Sequence, residues 1–132
     1  MSRILVVDAS VAVDLLARYR PEPIQQALWA QGTHLAAPEL LDIEALHALR
    51  RLDRDGRIPA SRIENLVEEL RALPIRRYRH ASLAAGVWSL RGHLTAYDAA
   101  YVTLTRLLNA KLITRDGRLA RASGLGRGVM LA

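Results

Sequence analysis

A chain of 132 residues, 51% apolar and 24% charged, is sized for one domain with one core, and this composition excludes a disordered or collagen-like polymer. The absence of cysteine excludes disulfide frameworks, thiolate zinc sites and thiol catalysis. Nineteen basic against 13 acidic residues give a formal charge of +6, a balance suited to a polyanionic partner.

Ile4-Leu5-Val6-Val7 is an unbroken, branched apolar run stopped by Asp8, the pattern of a strand buried on both faces of a parallel sheet. The run is too short for a signal peptide or a membrane span, so a cytoplasmic location without membrane association is expected. Asp8-Ala9-Ser10 opens a helix with Val11, Val13, Leu15 and Leu16 on its apolar face, and Pro21 stops it. Pro23 to Gln31 predicts a short helix ended by Gly32, and Leu35-Ala36-Ala37 a strand stopped by Pro38. From Glu39 to Arg54 the spacing of Leu41, Ala45, Ala48 and Leu52 predicts a helix, turned by Asp55-Gly56. Ser61 to Ala72 predicts a second helix, completing a helical hairpin, and Pro74 opens a weak strand through Tyr78. A helix is predicted over His80 to Arg91, closed by Gly92, and another from a Thr95 cap through Asp98 to about Leu108. Lys111 to Thr114 is the next strand, ending at Arg115-Asp116-Gly117; a short arginine-bearing helix to Ala122 and a strand over Gly128 to Leu131 finish the chain. The alternation predicts an α/β domain spanning residues 1–132, with a mostly parallel sheet of about four to five strands between helices.

Four acids stand where apolar side chains or buried strand ends are expected: Asp8, Glu44, Asp98 and Asp116. Asp8 and Asp116 each follow an apolar strand, so if those strands are parallel both lie at the carboxyl edge, where open parallel sheets bind ligands. Singly, each has an ordinary explanation. Asp8 or Ser10 could cap a helix, Asp116-Gly117 is turn chemistry, and Thr95 with Asp98 has the spacing of a capping box. Glu44 lies at the edge of an apolar stripe and faces the core. One oxygen-lined site for a hard divalent cation accounts for all four together. Magnesium held there could activate water and steady the leaving oxygen in phosphodiester hydrolysis. Ser10 and Thr114, each within two residues of a proposed ligand, could orient a water or the scissile phosphate, and Arg115, Arg118 and Arg121 could form a basic rim for a nucleic-acid backbone. His34, His47, His80 and His93 show no ligand spacing, and Trp29 and Trp88 fit the core or a dimer contact better than base stacking.

A haloacid-type phosphatase would need an aspartate where Ser10 stands, and a receiver domain would need an acidic pair before Asp8 and a late lysine after a strand. The order of VVDASV, ELLDIEAL, LTAYDAAYVTLT and LITRDGRLARA over nearly the full length instead resembles PIN-domain ribonucleases, and within them the VapC-type toxins of toxin-antitoxin pairs. The resemblance implies a PIN-like three-layer sandwich and Mg- or Mn-dependent endonucleolytic cleavage of RNA. It also implies a homodimer and inhibition by a small antitoxin whose C-terminal segment wraps the toxin. Matched by position, Asp8, Glu44, Asp98 and Asp116 become the acidic quartet, with Thr114 and Ser10 as polar helpers. The rival from another class is a catalytically silent RNA-binding or scaffold version of the fold, which loss of one acid would favour; all four are present.

Overall fold

The computed structural model describes residues 3–17 and 28–131. Strand β1 (Arg3–Val7) runs into helix α1 (Ala9–Ala17), and β2 (Thr33–Pro38) into α2 (Leu40–Arg54). Helices α3 (Ala60–Ile63) and α4 (Leu66–Ala72) lead to β3 (Ile75–Tyr78), and a 3-10 turn over His80–Leu83 leads to α5 (Ala84–Ser89). Then come α6 (Ala96–Leu107), β4 (Lys111–Thr114), α7 (Gly117–Ala122) and β5 (Val129–Leu131). All five strands are parallel, in the order β3-β2-β1-β4-β5. The chain steps outward from β1 to β3 and then returns to build on the other side of β1. The sheet therefore reverses direction between β1 and β4, and its ligand crevice is expected at their carboxyl ends.

Burial explains the apolar runs. Leu5, Val6 and Val7 of β1 and Leu112 and Ile113 of β4 are buried, as central parallel strands between two helical layers require. Helix α6 lies across β1, β2 and β4 and carries α5 on its outer side, while α1 packs with α2 and α4. A second apolar cluster joins Leu16, Ala45, Leu49, Ile58, Leu66 and Leu70, so the predicted helical hairpin closes over α1 instead of standing apart. Each buried leucine there contributes about 1.5–3 kcal/mol. Contact between α5 and α6 depends on Gly86, where an added Cβ would stand 2.4 Å from Thr103 Cγ2.

Two predicted elements differ. The single helix expected over Ser61 to Ala72 is broken at Glu64-Asn65, where Asn65 N bonds Arg62 O in a tighter turn; asparagine competes for backbone groups and favours such breaks. The helix expected over His80 to Arg91 starts as a 3-10 turn and ends at Ser89. The expected helix over Pro23 to Gln31 and the stop at Pro21 fall largely outside the described residues. No described helix is long and apolar enough to cross a membrane.

Candidate active site

At the carboxyl ends of β1 and β4, polar side chains stand on a buried floor. Asp8 is 6% exposed, and its backbone N–H donates to Ile113 O at 3.3 Å, which ties the end of β1 to β4. One carboxylate oxygen, Oδ1, accepts from the backbone N–H of Val11 at 3.2 Å and from the Ser10 hydroxyl at 2.5 Å. The other, Oδ2, accepts from the Thr114 hydroxyl. Thr114 Oγ1 in turn accepts from the Asp116 N–H at 2.9 Å, and Ser10 Oγ from the Arg115 N–H at 3.1 Å. Two hydroxyls thus lace the loop after β4 to the acid after β1.

The helix-cap explanations hold alongside this arrangement. Asp8 caps α1, and Asp116 caps α7 by accepting the N–H groups of Arg118 at 2.9 Å and Leu119 at 3.2 Å on Oδ1. The capping box at Thr95 is half formed. Thr95 Oγ1 accepts from the Asp98 N–H at 3.2 Å, but the Asp98 carboxylate turns to Arg118, whose Nη2 lies 2.8 Å from Asp98 Oδ2 and 3.3 Å from Asp116 Oδ2. Glu44, on the face of α2 towards the core, accepts from the Tyr101 hydroxyl at 2.7 Å. Tyr101 stands one helical turn after Asp98 on the same side of α6, so its bond brings Glu44 to the side of that helix which carries Asp98.

Electrostatics show that the four acids share one region. Burial pushes the Asp8 carboxyl above its ordinary value against the pull of its hydrogen bonds, and the charge of Asp116 adds to the rise. Burial likewise raises Glu44 against the pull of the Tyr101 bond, and smaller repulsions from Asp8 and Asp98 add to the rise. Tyr101 is itself pushed well above the phenol range, by burial first and then by Glu44. Arg118 is held more firmly protonated by its bond to Asp98 and by the charges of Asp98 and Asp116.

A family model described as PIN domain matches residues 5–125. Ribonuclease VapC3 of Mycobacterium tuberculosis is 42% identical over 118 residues, covering 89% of this chain and 86% of that protein. Ribonuclease VapC1 of the same organism is 39% identical over 121 residues, 91% of each. The chain belongs to the PIN-domain family. The crystal structure of PAE2754 from Pyrobaculum aerophilum shares the fold with a TM-score of 0.64 at 22% identity, over 92% of this chain and 81% of that one.

In this PIN domain the six residues singled out from sequence, Asp8, Ser10, Glu44, Asp98, Thr114 and Asp116, come to one edge of the sheet. Their donor set is all oxygen, the chemistry a hard divalent ion takes, and two of the carboxyls are raised by burial first, with repulsion from neighbouring acids adding to the rise. No group of three or more carboxylate or imidazole side chains that could hold a metal ion stands assembled among the described residues, Arg118 being bonded to two of the acids. Thr114 is fully buried with its hydroxyl bonded to Asp8 and Asp116, so it orients Asp8 and not a water or phosphate. The arginine rim also differs from expectation. Arg115 pairs with Asp14, and Arg118 turns inward to the acids.

Tyr101 was missed by sequence reasoning, although its place one turn after Asp98 on a largely buried helix was the available signal. Another was His80, whose Nε2 accepts the Leu40 N–H at 2.8 Å and so caps α2, the helix that presents Glu44. Glu39, in the cap position, makes no side-chain cap bond. Trp29 and Trp88 are 48% and 68% exposed, which removes the core reading for both; the Arg91 guanidinium stacks 4.5 Å above the Trp88 ring.

Proposed function

We propose that this PIN domain is a metal-dependent endoribonuclease that hydrolyses RNA phosphodiester bonds and acts as the toxin of a toxin-antitoxin pair. What supports the reading is the network after β1 and β4, in which Thr114 links Asp8 to the Asp116 backbone and Arg118 links Asp116 to Asp98, in a chain 42% identical to a relative named a ribonuclease. Asp8, Glu44, Asp98 and Asp116 would hold Mg2+ or Mn2+. When bound, the ion supplies Lewis acidity towards a phosphate oxygen and a more acidic water.

The chain's own residues set the geometry for that chemistry. Ser10 and Thr114 fix the plane of the Asp8 carboxylate by engaging both of its oxygens. Tyr101 keeps its proton and lends it to Glu44 Oε1, which holds that side chain against the helix instead of letting it swing into solvent. Asp98 and Asp116 stand at the open side, where RNA must enter. The net positive charge of the chain offsets their repulsion of the backbone. Ile43, Leu46, Ile63 and Val67, exposed apolar side chains on α2, α3 and α4, offer a surface for an antitoxin segment. A homodimer is part of the same reading.

The test is incubation of the purified protein with total RNA in Mn2+ or in chelator, with mapping of the cut ends. Cleavage is expected in Mn2+ alone, and Asp98→Asn is expected to abolish it while keeping the native circular dichroism spectrum. Cleavage by Asp98→Asn at the wild-type rate would remove that residue from the site, and cleavage undiminished by chelator would overturn the metal.

A further inference from the structure

Arg118 occupies a place that the proposed reaction needs for something else. Its Nη2 bridges Asp98 Oδ2 at 2.8 Å and Asp116 Oδ2 at 3.3 Å, spanning two acids contributed by different elements, the first turn of α6 and the end of β4. A single positive group is thus shared by two of the carboxylates that would hold the ion. The backbone of Arg118 is fixed, because its N–H is held by Asp116 Oδ1 at 2.9 Å. Its side chain is 62% exposed, and among the described residues the two acids are what is seen to hold its guanidinium. Ion pairs this open to water are weak and displaceable. A divalent ion brings twice the charge and takes oxygen ligands directly, so it can replace the guanidinium where a monovalent ion would not.

Resting on the metal reading above, we propose that Arg118 is a resident counter-cation that competes with the divalent ion for Asp98 and Asp116, and so sets how much metal the protein needs. Without metal, the guanidinium neutralises the open side of the crevice and keeps the two acids from repelling each other. Metal entry requires the arm to swing out, and its anchored backbone keeps it at the rim. Arg118 is a positioning residue in this account, since it acts through the two carboxylates.

The experiment is a titration of Mn2+ into wild type, Arg118→Gln, Arg118→Lys and Arg121→Gln without RNA, with free Mn2+ followed by electron paramagnetic resonance. Circular dichroism checks that each variant is folded. Arg118→Gln is expected to bind Mn2+ several-fold more tightly than wild type. Arg118→Lys, which keeps a charge but not the fork, should fall between them. Arg121→Gln, one helical turn further on and outside the two ion pairs, controls for the general loss of positive charge and should match wild type. Equal affinity in wild type and Arg118→Gln, or an equal gain in Arg121→Gln, overturns the competition while leaving the metal site standing. If none of the proteins binds Mn2+, the metal reading falls and the role of Arg118 with it.

Discussion

Thr114→Val tests whether the hydroxyl lacing at the end of β4 holds the acid after β1. Valine keeps the shape of the side chain and deletes only the hydroxyl, which donates to the Asp8 carboxylate and accepts the Asp116 N–H. A hydrogen bond to a charged group contributes about 1.5–3 kcal/mol, and Asp8 is too buried for water to replace the lost donor. The Asp116 N–H is only partly buried and can turn to water, so that one bond sets the estimate. For a chain of this size each kcal/mol moves the midpoint by about 3–5 °C, so a fall of roughly 5–15 °C is expected at neutral pH. The penalty has a pH signature. The Thr114 bond is one of those lowering the Asp8 carboxyl, so the variant should raise it further above 3.8. A raised carboxyl contributes stability that is present at low pH and lost as pH rises through its folded value. The gap between wild type and variant is therefore widest at neutral pH and narrows as Asp8 becomes protonated in both. Scanning calorimetry from acid to neutral pH measures it, with Thr114→Ser expected to recover most of the loss. A variant that melts within a degree of wild type at pH 7, or a gap that widens in acid, would refute the reasoning.

Tyr101→Phe removes the hydrogen bond that holds Glu44 down in pKa, so the carboxyl should climb further above 4.5. Because the reaction is expected to need Glu44 ionised, the acid limb of kcat/KM against pH should move to higher pH; a shift to lower pH would contradict the assignment. Gly86→Ala gains about 1 kcal/mol of helix propensity but places its methyl 2.4 Å from Thr103 Cγ2. Overpacking of this kind costs about 1–3 kcal/mol, so the melting temperature should fall, and Thr103→Ala added to it should restore much of the loss. A rise in the single variant would show that α5 and α6 are not in close contact there.

Much of this molecule was legible along the chain because the signals are local. A run such as Ile4 to Val7 has to be buried on both sides, a run such as Lys111 to Thr114 reads the same way, and an acid within two residues of each then has to sit at the sheet edge if the strands are parallel. The break at Asn65 and the 3-10 start at His80 were not legible. Both are decided by small differences in backbone preference, less than the packing of Leu66, Leu70 and Leu83 contributes. Thr114 illustrates a role that changes with its surroundings: its neighbours in the chain left it free to touch substrate, and burial commits it to Asp8.

By itself, the sequence determined which side chains are candidates for the chemistry and which strands end beside them, since residue type and apolar periodicity are properties of short stretches. Only the tertiary structure decided how those side chains are spoken for. Tyr101 meets Glu44 across 57 positions, Thr114 meets Asp8 across 106, and Arg118 reaches Asp98 across 20. Charge and hydrogen bonding act through space, and nothing in the spacing of a chain announces which distant partner will arrive within 3 Å.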